Sequence, residues 1–213
     1  GKPYVPADGQ AMARCVYGIK DWLAGQARNG DAEPLGAGAV EVPVKLTTSL
    51  GIFQASGTST LEGQTNSQGE LPVGVFSSLP GVATVTAEVP GYPAYTAQTR
   101  LTFCQLDLHP DQVYVPAQQP FRVECTVAGP EDLDELRFAW TSDADLHLVD
   151  PETGTPASYH PIGPQVLCGR QQGHAATGYL RVEARYIGSG GGEGNLGDYV
   201  GEAEAQVTLE EMH

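Results

Sequence analysis

The stretch Thr65–Tyr92 reads TNSQGELPVGVFSSLPGVATVTAEVPGY and decides the fold class. It holds two short segments, Leu71–Phe76 and Val82–Val89. In the second segment, positions 83, 85, 87 and 89 are apolar, and Thr or Glu stands between them. A period of two is typical of a β-strand with one buried and one solvated face.

Turn residues bound both segments. Asn66–Gly69 precede the first, Pro80-Gly81 separates the two, and Pro90-Gly91 follows the second. Asn and Gly suit a tight connection with a residue at positive φ, and Gly after Pro suits a β-turn. We therefore interpret these residues as folding signals rather than as catalytic groups.

Similar strand signals recur along the whole chain at a spacing typical of β-sandwiches. They fall at Met12–Ile19, Val40–Thr47, Gly51–Ala55, Leu71–Phe76, Val82–Val89, Thr96–Phe103, Phe121–Val127, Leu136–Thr141, Leu146–Val149, Gln165–Cys168, Gly178–Ile187 and Val200–Leu209. Around residue 105 a short connector follows the first set of strand signals, and a second complete set begins after it. The sequence therefore predicts an all-β fold of two tandem β-sandwiches, with residues 1–104 as the first domain and 105–213 as the second; the resemblance given below implies that both are immunoglobulin-like.

Composition and charge limit the partners of the chain. The formal charge is −15, from 11 basic and 26 acidic residues. Such a surface repels phosphate backbones, so no nucleic-acid partner is expected. No apolar run approaches the roughly 20 residues of a membrane span, which predicts no direct membrane insertion. The start, Gly1-Lys2-Pro3, is interpreted as that of a mature or excised fragment.

The four cysteines are Cys15, Cys104, Cys125 and Cys168. They form no C-x-x-C motif and have no histidine at ligand spacing, so a zinc site is not expected. Their even number and wide spacing predict two disulfides, Cys125–Cys168 and Cys15–Cys104, formed in an oxidising compartment. Buried thiols are the alternative interpretation.

Two further groups of residues are candidates for binding. Asp143 and Asp145 alternate on one side of an extended segment and, with Asp150, are candidate Ca²⁺ ligands, although solvated loop acids are the simpler interpretation. No other cofactor is expected. Trp22, Tyr92 and Tyr95 form a candidate aromatic contact patch of the kind enriched in interfaces. Packing of these rings beneath their own loops is the alternative.

Motifs for catalysis are missing from the sequence. There is no G-x-S-x-G, H-E-x-x-H or Walker A motif. The glycine-rich run Gly188–Asn195 lies between two strand signals and lacks a following helix, so we interpret it as a hairpin loop. The chain is therefore not expected to be an enzyme.

The first domain resembles the bacterial immunoglobulin-like domain group 1, the module repeated in invasin and intimin. The resemblance covers roughly residues 5–104. The matching pieces follow the order of the family: Ala7-Asp8-Gly9, Pro34-Leu35 before Val40–Leu46, Thr47–Gly51, Thr65–Gly69, Ser77–Pro80 and Gly81–Ala87. This sequence departs from the family in a longer loop after Ile19 and in carrying Cys15 and Cys104.

Residues 105–213 resemble immunoglobulin-like and polycystic-kidney-disease-like sandwiches in general. Cys125 is expected on the second strand, Trp140 on the third and Tyr179 on the sixth. Cys168 falls before that sixth strand. This position favours a bridge from Cys125 to the fifth strand over the usual bridge to the sixth.

The resemblance implies a non-catalytic, extracellular tandem of a bacterial surface or secreted protein that serves as a spacer and adhesion module. It implies a location that is extracellular, at the cell surface or periplasmic. The implied partner is a protein or glycan ligand on a cell surface, or neighbouring domains of a longer chain.

Two alternatives remain open. An accessory module of a larger extracellular enzyme, carbohydrate-binding or structural, would be favoured by a planar row of exposed aromatic residues. A structural subunit of an envelope assembly would be favoured by an unpaired edge strand that a partner buries.

Overall fold

A computed structural model of the chain describes residues 4–19, 40–115, 119–130, 133, 135–144, 146–157, 162–170, 177–186 and 198–209. In these residues the chain forms fifteen β-strands and no helix. It divides into two compact units, Gly1–Phe103 and Cys104–His213. The fold class predicted from the sequence, all-β with immunoglobulin-like sandwiches, is confirmed.

The strands alternate between buried and solvated side chains along most of their length. Their bounds are β1 Tyr4–Pro6, β2 Ala13–Gly18, β3 Pro43–Thr48, β4 Ile52–Phe53, β5 Thr60–Gln64, β6 Glu70–Phe76, β7 Gly81–Val89, β8 Tyr92–His109, β9 Gln112–Val115, β10 Phe121–Ala128, β11 Leu136–Ser142, β12 Leu146–Val149, β13 Gln165–Arg170, β14 Thr177–Tyr186 and β15 Asp198–Leu209.

The first unit packs two sheets around one core. One sheet has the order β5-β3-β7-β8, with β1 also paired to β8, and the other has the order β2-β6-β4. The core takes residues from both sheets, among them Leu46 on β3, Phe53 on β4, Val75 on β6 and Phe103 on β8. Burial of these apolar side chains is the main source of stability in such a sandwich.

The stretch Thr65–Tyr92 carries the chain from one sheet of this sandwich to the other. Strand β6 belongs to the small sheet and β7 to the large one. Before β6, Gly69 has a φ of 75°, a conformation that favours glycine. The Asn66 side-chain oxygen accepts hydrogen bonds from the backbone N–H groups of Gln68 at 2.9 Å and Glu70 at 3.0 Å. The turn and the buried alternation along β7 are both as the sequence predicts.

The second unit is also a two-sheet sandwich. One sheet has the order β12-β13-β10 and continues to the last residues of β8, and the other has the order β11-β14-β15-β9. Strand β9 runs parallel to β15, and the other pairs are antiparallel. Among the described residues, Trp140 on β11 is the largest fully buried side chain, and its ring N–H donates to the Gly163 carbonyl at 3.2 Å.

Several elements differ from the sequence prediction, and strands β1, β5 and β9 lie outside the predicted segments. Strand β8 is expected over Thr96–Phe103 but spans Tyr92–His109. After two consecutive buried residues, Phe103 and Cys104, the alternation resumes with the buried Leu106 and Leu108 and extends the strand. Strand β5 is not predicted at all. It lies at a sheet edge, and its sequence Thr-Leu-Glu-Gly-Gln offers one large apolar residue, so hydrophobic periodicity gives no signal.

Candidate functional site

The predicted Cys125–Cys168 disulfide is wrong, because the four cysteines are all thiols in the structure. Cys125 lies on β10 and Cys168 on the neighbouring strand β13, where its register partner is Phe121. Cys125 is four positions further along β10 than Phe121, which corresponds to about 13 Å at the rise of a strand. A disulfide requires Cα atoms within about 7 Å.

The predicted Cys15–Cys104 disulfide is wrong for a similar reason. Cys15 lines the same groove as Gln98 and Thr99 of β8. Cys104 is five residues further along the same strand, which corresponds to about 16 Å. Without either bridge, the cysteines no longer support an oxidising compartment.

Two of the thiols are buried in the core of the second unit. Burial raises the pKa of Cys168 to about 12. Burial, with the nearby carboxylates of Asp107 and Glu124, raises the pKa of Cys125 to about 12 as well. Since the thiolate is the nucleophile, these groups are chemically inert at neutral pH. Both cysteines lie on the strands expected from the sequence, but there they are core residues and form no reactive site.

Two of the three candidate calcium ligands, Asp143 and Asp150, accept hydrogen bonds within their own loops or from the neighbouring strand. Asp143 accepts a hydrogen bond from the backbone N–H of Tyr179. Asp150 accepts hydrogen bonds from the Glu152 backbone N–H at 2.9 Å and the Thr153 hydroxyl at 2.7 Å, and these bonds lower the pKa of its carboxyl. Asp145 lies outside the described residues. Among the residues that the structure describes, no group of three potential ligands could hold a metal ion.

Two rings of the candidate aromatic patch, Tyr92 and Tyr95, lie in the described part of the chain. Tyr92 is 45% exposed. Tyr95 packs against the first core, and its backbone carbonyl accepts a hydrogen bond from the Tyr17 hydroxyl at 2.6 Å. Trp22 lies outside the described residues, as does the run Gly188–Asn195.

A small groove of the first unit is lined by residues of β2, β7 and β8. Its volume is about 260 Å³, and its walls include Cys15, Tyr17, Ala87 and Gln98. Pockets for drug-sized ligands start at about 300 Å³ and enclose most of the ligand. Burial raises the pKa of the Cys15 thiol. The groove thus offers neither the size nor an activated nucleophile for a small-molecule site.

The second unit presents a more informative surface on the sheet β11-β14-β15-β9. Among the described residues of this unit, the exposed large hydrophobic side chains are Tyr114, Tyr179 and Tyr199. All three belong to strands of this sheet. We refer to the solvated side of this sheet as the outer face, and it carries Tyr114, Arg137, Thr141, Tyr179, Arg181, Glu183, Arg185, Tyr199, Glu202, Glu204, Gln206 and Thr208.

Ion pairs and the strand register determine how the side chains of the outer face are arranged. The Arg181 side chain donates to Glu204 on the neighbouring strand, and the Arg185 side chain donates to Glu183. Arg185 is the register partner of Tyr199, and Tyr179 is the register partner of Gln206. Sequence reasoning missed this surface, although the buried Leu180, Val182 and Ala184 imply that the residues between them face solvent.

The two sandwiches define the chain as a tandem of immunoglobulin-like domains. A solved structure with the same fold is the C-terminal 282-residue fragment of intimin, in complex with the intimin-binding domain of the translocated intimin receptor. The TM-score is 0.51 at 15% sequence identity, over 98% of this chain and 62% of that fragment. At this identity the likeness concerns the fold, and the chain spans about three fifths of the fragment.

Two further solved structures match with a TM-score of 0.34. One is the D0–D1 domain of intimin, 14% identical over 95% of this chain and 93% of that chain. The other is invasin, described as a bacterial integrin-binding protein, 13% identical over 97% of this chain and 38% of that chain. No protein-family model matches the sequence, and no curated protein matches it. Among the described residues, no helix is long and apolar enough to cross a membrane.

Proposed function

We propose that the chain is a non-catalytic tandem of a bacterial surface-attached or secreted protein, where it serves as a spacer and adhesion module. In this proposal the first unit is a group 1 bacterial immunoglobulin-like domain and acts mainly as the spacer. The second unit carries the contact surface for a protein ligand. The observation that carries the proposal is the shared fold, over 98% of the chain, with an intimin fragment solved in complex with a receptor domain.

The distribution of side chains agrees with a binding role. The outer face of the second unit combines exposed tyrosines with arginines, the residue types enriched where proteins meet. The extracellular location rests on the resemblance to surface proteins alone, because the four thiols remove the disulfide argument.

The test is binding of the fluorescently labelled 213-residue chain to cultured animal cells, measured by flow cytometry. The proposal expects saturable binding that unlabelled chain competes away and that trypsin treatment of the cells removes. Loss after periodate oxidation of cell-surface glycans instead would assign a glycan ligand. Binding no greater than that of labelled albumin would contradict the adhesion role.

A second candidate, a carbohydrate-binding accessory module of an extracellular enzyme, is favoured by the three tyrosines on one sheet face. They lie on three different strands. Charged side chains stand between Tyr179 and Tyr199, and uncharged polar side chains of β15 stand between Tyr179 and Tyr114. Affinity electrophoresis in gels containing xylan, β-glucan or chitosan separates the two candidates. Retardation that Tyr179→Ala abolishes and Tyr92→Ala preserves would support the carbohydrate role, and unaltered mobility in all gels would reject it for these polymers.

A further inference from the structure

The outer face of the second unit differs in charge from the unit that carries it. Residues 104–213 contain five arginines and 18 acidic residues, a formal charge of −13. The outer face carries three of the arginines, Arg137, Arg181 and Arg185, against three glutamates, Glu183, Glu202 and Glu204. A strongly acidic unit therefore presents one sheet face on which the charges balance.

The equal numbers of positive and negative charges on the outer face indicate which kind of partner it fits. A surface for a basic protein would carry excess acid, and a surface for an acidic protein would carry excess base. A charged surface that meets a second copy of itself avoids net repulsion when it carries charges of both signs, because the same patch contributes to both sides of a two-fold interface. We propose that the outer face is a self-association surface through which two copies of the chain dimerise.

The register of the sheet supplies the complementary pairs. A two-fold axis parallel to the strands, between β14 and β15, places β14 of one copy opposite β15 of the other. Arg181 then faces Glu204 of the second copy, and Arg185 faces Tyr199 of the second copy. Glu183 faces Glu202, and Arg181 and Arg185 lie on either side of Glu183 along β14. Arginine over a tyrosine ring adds a cation–π attraction.

The area of the face suits a weak dimer. The strands β9, β11, β14 and β15 hold 4, 7, 10 and 12 residues. At a rise of about 3.4 Å and a strand spacing of about 4.8 Å, the face presents about 540 Å² per copy. Two copies would bury about 1,100 Å², in the range of weak and transient interfaces. Interfaces of this kind reach micromolar affinity when no deep anchor is present. This dimer goes beyond the proposed function and would compete with a protein ligand for the same face, so it is tested on the chain alone, without a ligand.

Sedimentation velocity on the 213-residue chain tests the dimer, from about 1 µM to about 500 µM at about 0.15 M NaCl, where long-range repulsion is screened. The mass should rise from that of one 22.4 kDa chain toward that of two. Tyr179→Asp should raise the dissociation constant at least about tenfold. The matched control is Tyr92→Asp, which adds the same charge at a tyrosine of similar exposure, 45% against 43%, and should leave the constant unchanged.

Charge reversal provides the second arm. Arg181→Glu and Glu204→Arg should each weaken dimerisation, and the double variant should restore it to within about threefold, as expected for directly coupled residues. Thermal melting of each variant checks that the fold is kept. A chain that stays monomeric at every concentration would overturn the proposal. Equal effects of the two tyrosine substitutions, or no restoration in the double variant, would also overturn it.

Discussion

Trp140 shows how single residues hold the second sandwich together. Its ring is 1% exposed and fills the core, and its N–H group is satisfied by the Gly163 carbonyl. A buried indole needs both the packing and a hydrogen-bond partner, since an unpaired polar group in a core is costly. The position of Trp140 on the strand after that of Cys125 could be predicted from the sequence. Its hydrogen-bond partner could not, because Gly163 lies 23 residues away.

We predict that Trp140→Ala lowers the free energy of unfolding by about 3–5 kcal/mol, since it removes a large buried side chain and leaves a cavity. Trp140→Phe should cost less, because packing is partly kept and mainly the hydrogen bond to Gly163 is lost. Leu79→Ala is the control, because its side chain is 63% exposed, and it should change stability by less than about 0.5 kcal/mol. Urea unfolding followed by circular dichroism measures all three variants. A similar loss in Leu79→Ala and Trp140→Ala would contradict the burial assignment.

The cysteines are the residues for which sequence reasoning failed most clearly. Their number and spacing favour disulfides, but pairing depends on the strand register, and register is a long-range property that spacing does not encode. In the structure, Cys168 is paired in register with Phe121 and not with Cys125.

Thiol labelling tests this correction. At pH 8 the pKa of about 12 at Cys125 and Cys168 leaves roughly one thiolate in 10,000, so both should be unreactive toward Ellman's reagent in the folded chain. Cys15 is partly exposed and should react slowly. After unfolding in guanidinium, four thiols should react without any reductant. Fewer than four would restore the disulfide hypothesis.

At the scale of elements, the alternation of side chains decides which strands can be predicted. Strand β12 coincides with its predicted range, Leu146–Val149, because its apolar residues are large and regularly spaced. Strand β5 escapes prediction because it is a polar edge strand. The outer face could not be predicted from the sequence either. Its tyrosines come from β9, β14 and β15, and only the pairing of those strands brings them to one surface.

Strand β9 allows a direct test of the alternation between buried and exposed side chains. Val115 is fully buried, whereas its neighbour Tyr114 is 52% exposed. Val115→Asp should destabilise the second unit by more than about 3 kcal/mol, because it buries a charge without a partner. Tyr114→Asp introduces the same group on the opposite face and should cost less than about 1 kcal/mol. Thermal unfolding compares the two variants, and a larger loss for Tyr114→Asp would show that the strand faces the other way.

At the scale of the whole molecule, the charge is distributed unevenly. Residues 1–103 carry six basic and eight acidic residues, so nearly all of the excess acid lies in the second unit. Composition and periodicity were sufficient to predict an all-β chain of two sandwiches, because both are summed over many residues. The binding role could not be predicted in the same way, since folds of this class host many functions and the contacts depend on particular surfaces.

Adhesion is the central claim, and the most direct measurement is attachment by a displayed chain. A non-adherent laboratory bacterium carries the 213-residue chain on an outer-membrane anchor, and attached bacteria are counted per cultured animal cell. We predict at least about tenfold more attachment than with the anchor alone, as expected when many copies bind together, and loss of this attachment when soluble chain is added as a competitor. Attachment equal to that of the anchor alone would contradict the adhesion role.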